Sequence, residues 1–122
     1  MNEDQAGALL AGVLLALASV GVWCVVVGAA AGRIKNNGAL GLRTPATMRS
    51  EEAWEAGHRA ALFVVKPLCV WAGIAAVAGA VLGSWPPAGI VLVLISAGLL
   101  VAGTVGGGVV AHRAARSIST GH

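Results

Sequence analysis

The sequence predicts an all-α integral membrane protein, with three transmembrane helices and a structured cytoplasmic loop and surface helix between the first two. Composition is the first reason. The 122 residues are 57% hydrophobic and 11% charged, where an ordinary soluble domain carries about 25% charged residues. A soluble fold this small cannot hide so much apolar surface, whereas lipid can receive it. The second reason is three long apolar runs, since a helix needs about 20 apolar residues to cross the bilayer core. The third is that the basic residues gather beside one end of those runs. Eighteen glycines do not oppose helices, because glycine is frequent in membrane helices. Strands are the weaker reading, since no period-two alternation is sustained and three strands cannot close a barrel.

The first span covers about residues 6–31 and carries no charge. It lacks a basic leader and is too long for a signal-peptide core, so it reads as an uncleaved anchor. A cytoplasmic loop and surface helix follow over 32–62. The second span covers about 63–84, with Lys66-Pro67 near its start. Pro67 cannot donate to the carbonyl of Phe63, so a kink is expected there; the preceding helix either lies along the inner surface and bends into the crossing, the favoured reading, or runs straight into it. Pro86-Pro87 suits a helix entry and Trp85 the headgroup belt. So short a turn makes the second and third spans an antiparallel hairpin. The third span covers about 88–111, and a tail over 112–122 ends the single membrane domain.

Charge sets the orientation. Arg33, Lys35, Arg43, Arg49 and Arg59 lie between the first two spans, and Arg113 and Arg116 lie in the tail. The outer turn has no charge, and the N-terminus offers Glu3 and Asp4. The positive-inside rule therefore puts the N-terminus outside and the C-terminus in the cytoplasm of a multi-pass cell-membrane protein. Three spans independently require opposite ends. The sequence pI of about 9.5 serves topology in this reading rather than nucleic-acid binding.

The only long polar stretch is the cytoplasmic segment. Asn36-Asn37-Gly38 signals a turn, and Thr44 before Pro45 is extended. Thr47 or Ser50 caps a helix whose first turns hold Glu51, Glu52 and Glu55, where the helix dipole favours anions. Glu55 and Arg59 stand four apart in the favourable order. Trp54, His58 and Ala61 share one face.

Along this stretch Asn37, Gly41-Leu42-Arg43-Thr44-Pro45, Thr47, Ser50-Glu51-Glu52, Trp54 and His58-Arg59 resemble the motif of the SdpI family of bacterial membrane immunity proteins. Asn36 stands where that family usually has proline. The founding member is longer, with more spans, so the resemblance is to a short single-module form. It implies a membrane protein that gives immunity to a membrane-active peptide toxin, or that signals by tethering a regulator at the membrane. The residues it singles out for a functional motif and partner contact are Asn37, Gly41, Arg43, Thr44, Trp54, His58 and Arg59. Gly41 would permit the turn, Arg43 and Arg59 would supply charge, and Trp54 and His58 a contact face.

Each has a plainer reading. Arg43 can grip a lipid phosphate or an acidic partner with its fork, or tie the loop to helix-end carbonyls or to the nearby glutamates. His58 can pack beside Trp54 or bond the loop. Glu55-x-x-His58 has the spacing of a di-metal half-site, but di-metal bundles use it twice, so no metal or other cofactor is expected. Lys66, the one charge within a span, is an intramembrane functional candidate or snorkels to the inner surface. Catalysis is not expected: the only aspartate, Asp4, and His58 fall on opposite sides. Gly106-Gly107-Gly108 has no following lysine for a phosphate loop.

Gly28/Gly32, Gly79/Gly83 and Gly103/Gly107 are spaced for close helix contact or homo-oligomerisation. Trp23 and Trp71 pack together or line a shallow cavity, with Ser19 a partner for an indole N–H. Cys24 and Cys69 read as small buried hydrophobes. The rival functional readings are an accessory subunit of a larger membrane complex and, more weakly, a small oligomeric transporter or channel. In the first, the helices are packing surface and the loop a docking element.

Overall fold

A computed structural model describes residues 2–118; the last part of the expected tail, 119–122, lies outside the described residues. Three helices carry the fold: α1 (Glu3–Ala30), α2 (Glu51–Val81) and α3 (Pro86–Arg116). All three are long and apolar enough to cross a membrane. Short 3-10 turns occupy Thr47–Arg49 and Leu82–Ser84.

Local chemistry sets the helix ends. Asn2 caps α1 through a reciprocal box with Gln5, so the helix starts at Glu3 rather than at the first apolar residue. Ser50 caps α2 by accepting from the Ala53 N–H at 3.0 Å. Prolines open α3, where a missing N–H costs little.

The stretch expected at the surface and the stretch expected to span form one 31-residue helix with Pro67 inside it. Proline removes one backbone bond and crowds the preceding turn. Here α2 is the central helix, packed along both α1 and α3. Contacts on two sides hold it helical through the gap, as they do in other membrane helices.

Small residues make the contacts. Gly57 approaches the Ala111 carbonyl so closely that a Cβ there would stand 2.9 Å from its oxygen. Gly107 faces Val65, Gly103 faces Leu68, and Gly79 faces Gly89 and Val93. Each step down α2 is a step up α3, as an antiparallel pair requires. Gly12 of α1 lies under the Ala76 carbonyl and Ala80. The Ser96 hydroxyl donates to the Ala72 carbonyl at 2.7 Å, joining α3 to α2 within the apolar zone. Hydrocarbon gives helices no hydrophobic reason to associate, so backbone proximity and van der Waals contact must do it. Large side chains accordingly point outward: Leu17 is 65% exposed and Phe63 87%.

The two tryptophans of the spans do not pair. Trp23 lines an apolar groove of about 750 Å³ between α1 and α2, while Trp71 is exposed. Ser19 spends its hydroxyl on the Leu15 carbonyl at 2.8 Å. Cys69 is buried, but Cys24 is exposed.

Candidate functional site

The bulkiest fully buried side chains are Trp54 and His58. Both project from the first two turns of α2 into the 31–50 loop, and their rings lie 4.4 Å apart, tilted by 46°. The Trp54 indole N–H donates to the Ile34 carbonyl at 2.8 Å. The Leu42 N–H donates to His58 Nε2 at 2.8 Å, and His58 Nδ1 lies 2.7 Å from the Trp54 carbonyl. A carbonyl can only accept, so the proton sits on Nδ1 and the ring is neutral with both nitrogens used. Burial lowers the His58 pKa below its ordinary 6.5, with the Trp54 carbonyl bond pulling the other way.

Gly41 fits against this pair. Its φ of +107° is open to glycine. A Cβ there would stand 2.6 Å from Trp54 Cη2 and 3.0 Å from His58 Nε2. The next residue, Leu42, drops into the cluster formed by Val26, Ala61, Val65, Cys69 and Ala111, so the loop apex is wedged into the helix bundle.

Two side-chain staples shape the rest. Asn37 Oδ1 accepts from the Ala39 and Leu40 N–H groups at 2.8 and 2.7 Å, while its amide donates to the carbonyls of Lys35 and Leu40. Thr44 and Thr47 exchange bonds: the Thr44 N–H donates to Thr47 Oγ1 at 2.9 Å and the Thr47 N–H to Thr44 Oγ1 at 3.2 Å. Thr47 is fully buried, with its hydroxyl 2.8 Å from the Leu42 carbonyl. The Thr44 hydroxyl also meets His112 Nδ1 of α3 at 3.0 Å.

The sequence-derived residues thus divide. Asn37, Gly41, Thr44, Trp54 and His58 come together as the internal frame of the loop. Trp54 and His58 are fully buried and form no outward face. Desolvating two large rings and giving each of their polar atoms a partner, in the loop or on α2, is what turns the stretch into a fixed structure. Arg43 and Arg59 are exposed. Lys66 is exposed on α2, two turns beyond Arg59. Glu55 does not reach toward Arg59; its carboxylate lies over Gly32, whose φ is +81°.

The arginine that ties the loop to helix-end carbonyls is Arg49, not Arg43. Arg49 Nη2 donates to the carbonyls of Ala115 and Ile118 at 3.0 and 3.1 Å, closing the C-terminal end of α3, where the helix dipole favours a cation. Sequence reasoning missed this role and that of Asn36, whose amide donates to the Met48 carbonyl at 3.0 Å and whose N–H faces Glu51. The Thr44-x-x-Thr47 spacing was a usable signal for the box. Nothing local marks Arg49, whose partners lie 66 and 69 residues away.

Among known proteins, no curated protein and no solved structure matches this chain. The family model described as the SdpI/YfhL protein family matches residues 33–112, from the loop into the last turns of α3.

Proposed function

The chain belongs to the SdpI/YfhL protein family, and from that premise we propose that it is a non-enzymatic membrane protein conferring immunity to a membrane-active peptide. In this reading the loop acts at the cytoplasmic face, where it can also hold a regulator. The observation that carries it is the fit between family and fold: the motif residues build a fixed loop that is continuous with α2 and wedged between the helices. Such a loop turns a change among the spans into a change at the aqueous face, because Leu42 packs against α1, α2 and α3 together.

Arg43 and Arg59 are the outward contacts in this proposal, and the buried motif residues hold them in place. The orientation, N-terminus outside and C-terminus inside, comes from the positive-inside rule.

The test is cellular. Cells lacking the protein, given the secreted peptide, are expected to lose membrane potential, and expression of the chain restores it. Equal sensitivity with and without the chain would sink the proposal. Arg43→Ala is expected to abolish protection while leaving the protein inserted and folded, since Arg43 is exposed and outside the helices. Loss of insertion would assign it a structural role instead.

A further inference from the structure

α1 and α3 each pack along α2 but touch one another little. A cleft of about 350 Å³ opens between them on one face. Ala18, Gly21 and Val25 of α1 and Thr104 of α3 form its walls, and Leu40 and Leu42 its floor. Around Gly21 there is open space. The one hydroxyl in the wall, on Thr104, is turned back to the Leu100 carbonyl at 2.8 Å. The cleft therefore presents hydrocarbon to whatever enters it.

The residue that follows this floor in the chain is a cation. Arg43 follows Leu42 and is exposed. The bond between Thr44 and His112 holds this part of the loop against the last turns of α3, which carry exposed Arg113 and Arg116. Of the eight lysines and arginines, all but Lys66, which sits midway along α2, lie in the loop or toward the loop end of the helices, against three glutamates there.

We propose that the cleft and Arg43 form a site for an anionic phospholipid of the leaflet on the loop side, with one acyl chain in the cleft and the phosphate on the guanidinium. Length favours this occupant. From Ala18 to Val26 the cleft follows about 12 Å of the α1 axis. Half of the hydrocarbon core is about 15 Å, which is the reach of one leaflet's chains. A second copy fits poorly. A helix is about 10 Å across, and one crossing the bilayer would run into the Leu40–Leu42 floor. An acidic protein would use the arginine and leave the cleft empty. The cationic surroundings favour a net negative headgroup over a zwitterion. This deepens the assignment of Arg43 as an outward contact and rests on that assignment alone; a negative result leaves protection against a peptide untouched.

The experiment is a titration of the purified full chain in detergent with phosphatidylglycerol, phosphatidylcholine and soluble glycerol phosphate, reading retained ligand by native mass spectrometry. Wild type is expected to retain phosphatidylglycerol in preference to phosphatidylcholine and to ignore glycerol phosphate. Arg43→Gln weakens the anionic lipid about fivefold, and Arg43→Lys recovers part of that. Gly21→Leu fills the cleft and weakens both lipids. Circular dichroism and thermal unfolding without lipid check the fold; if Gly21→Leu misfolds, Ala18→Leu fills the same wall one turn away. Undiminished phosphatidylglycerol binding by the glutamine and cleft variants overturns the proposal. So does glycerol phosphate competing as well as lipid, a dimer that Gly21→Leu dissociates, or an acidic protein retained in place of lipid.

Discussion

At Gly41 two demands coincide, a positive φ and a wall of aromatic carbon at the Cβ position. Alanine there adds backbone strain and a clash against side chains that are fully buried and cannot withdraw. Gly41→Ala is expected to cost about 2–5 kcal/mol, read as a lower unfolding midpoint in detergent. His58 makes the same loop sensitive to acid. Its folded pKa lies below the ordinary 6.5 that a released loop restores, so the released state binds the extra proton more readily. The clamp is at full strength above about pH 6.5 and weakens as pH falls from there toward the lowered value. Protonation would also set an Nε2–H against the Leu42 N–H. The hydrogen-exchange protection of the Leu42 amide is expected to drop between pH 7 and 5; protection unaltered by acid would contradict the assignment. The elements packed here also carry Arg33, Lys35, Arg43 and Arg49 on the loop, Glu51, Glu52, Glu55 and Arg59 on the first turns of α2, and His112, Arg113 and Arg116 on the end of α3. None takes the place of the Leu42 amide at Nε2.

For the helices, the informative element is α2. Its continuity through Pro67 means that the loop clamp and the span sit on one unbroken helix. Proline in a helix interior costs about 3 kcal/mol in water, and membrane helices recover part of that through neighbouring groups. Pro67→Ala is accordingly expected to raise stability by about 1–3 kcal/mol, measured by thermal or denaturant unfolding in detergent. A destabilised variant would show that the proline fits a shape the helix needs. The contact between α2 and α3 tests a weaker force. Ser96→Ala removes the bond to the Ala72 carbonyl and is expected to cost only about 0.6 kcal/mol, because that carbonyl belongs to a helix. Gly107→Leu, whose first added carbon would already stand 2.6 Å from Val65, is expected to separate the helices instead. Arg49→Ala frees the carbonyls of Ala115 and Ile118 and should fray the last turn of α3 while sparing the spans, visible as faster amide exchange confined to that turn.

Among the described residues, the apolar surface is inverted relative to a soluble bundle: alanine and close-packed glycine make most of the interior, and most of the leucines and valines face outward. The arrangement suits lipid on every side, and the polar loop caps one end. Cysteine labelling provides the topology test for the proposed orientation. In intact cells a cysteine placed at Asn2 is expected to react with an impermeant reagent, and one placed at Gly38 is not. The reverse pattern would move the loop to the outer face. Much of this was legible in the sequence. The three spans follow from residue composition counted along the chain, because transfer into hydrocarbon is a local property of each segment. Asn37 and Gly41 announced turns, and Ser50 announced a helix start, because each acts on backbone within three or four residues. What the sequence left open were the choices between partners. It offered Trp54 and His58 as a contact face or as an internal pair, and Arg43 as an outward grip or a tie. Folding buried the first two, left Arg43 exposed and gave the tie to Arg49. Those outcomes turn on bonds between residues 16 to 69 positions apart, whose geometry exists only once α1, α2 and α3 are packed. Local hydropathy determined where the chain lives; the packing of three helices around Leu42 decided which of its polar residues face inward and which remain free.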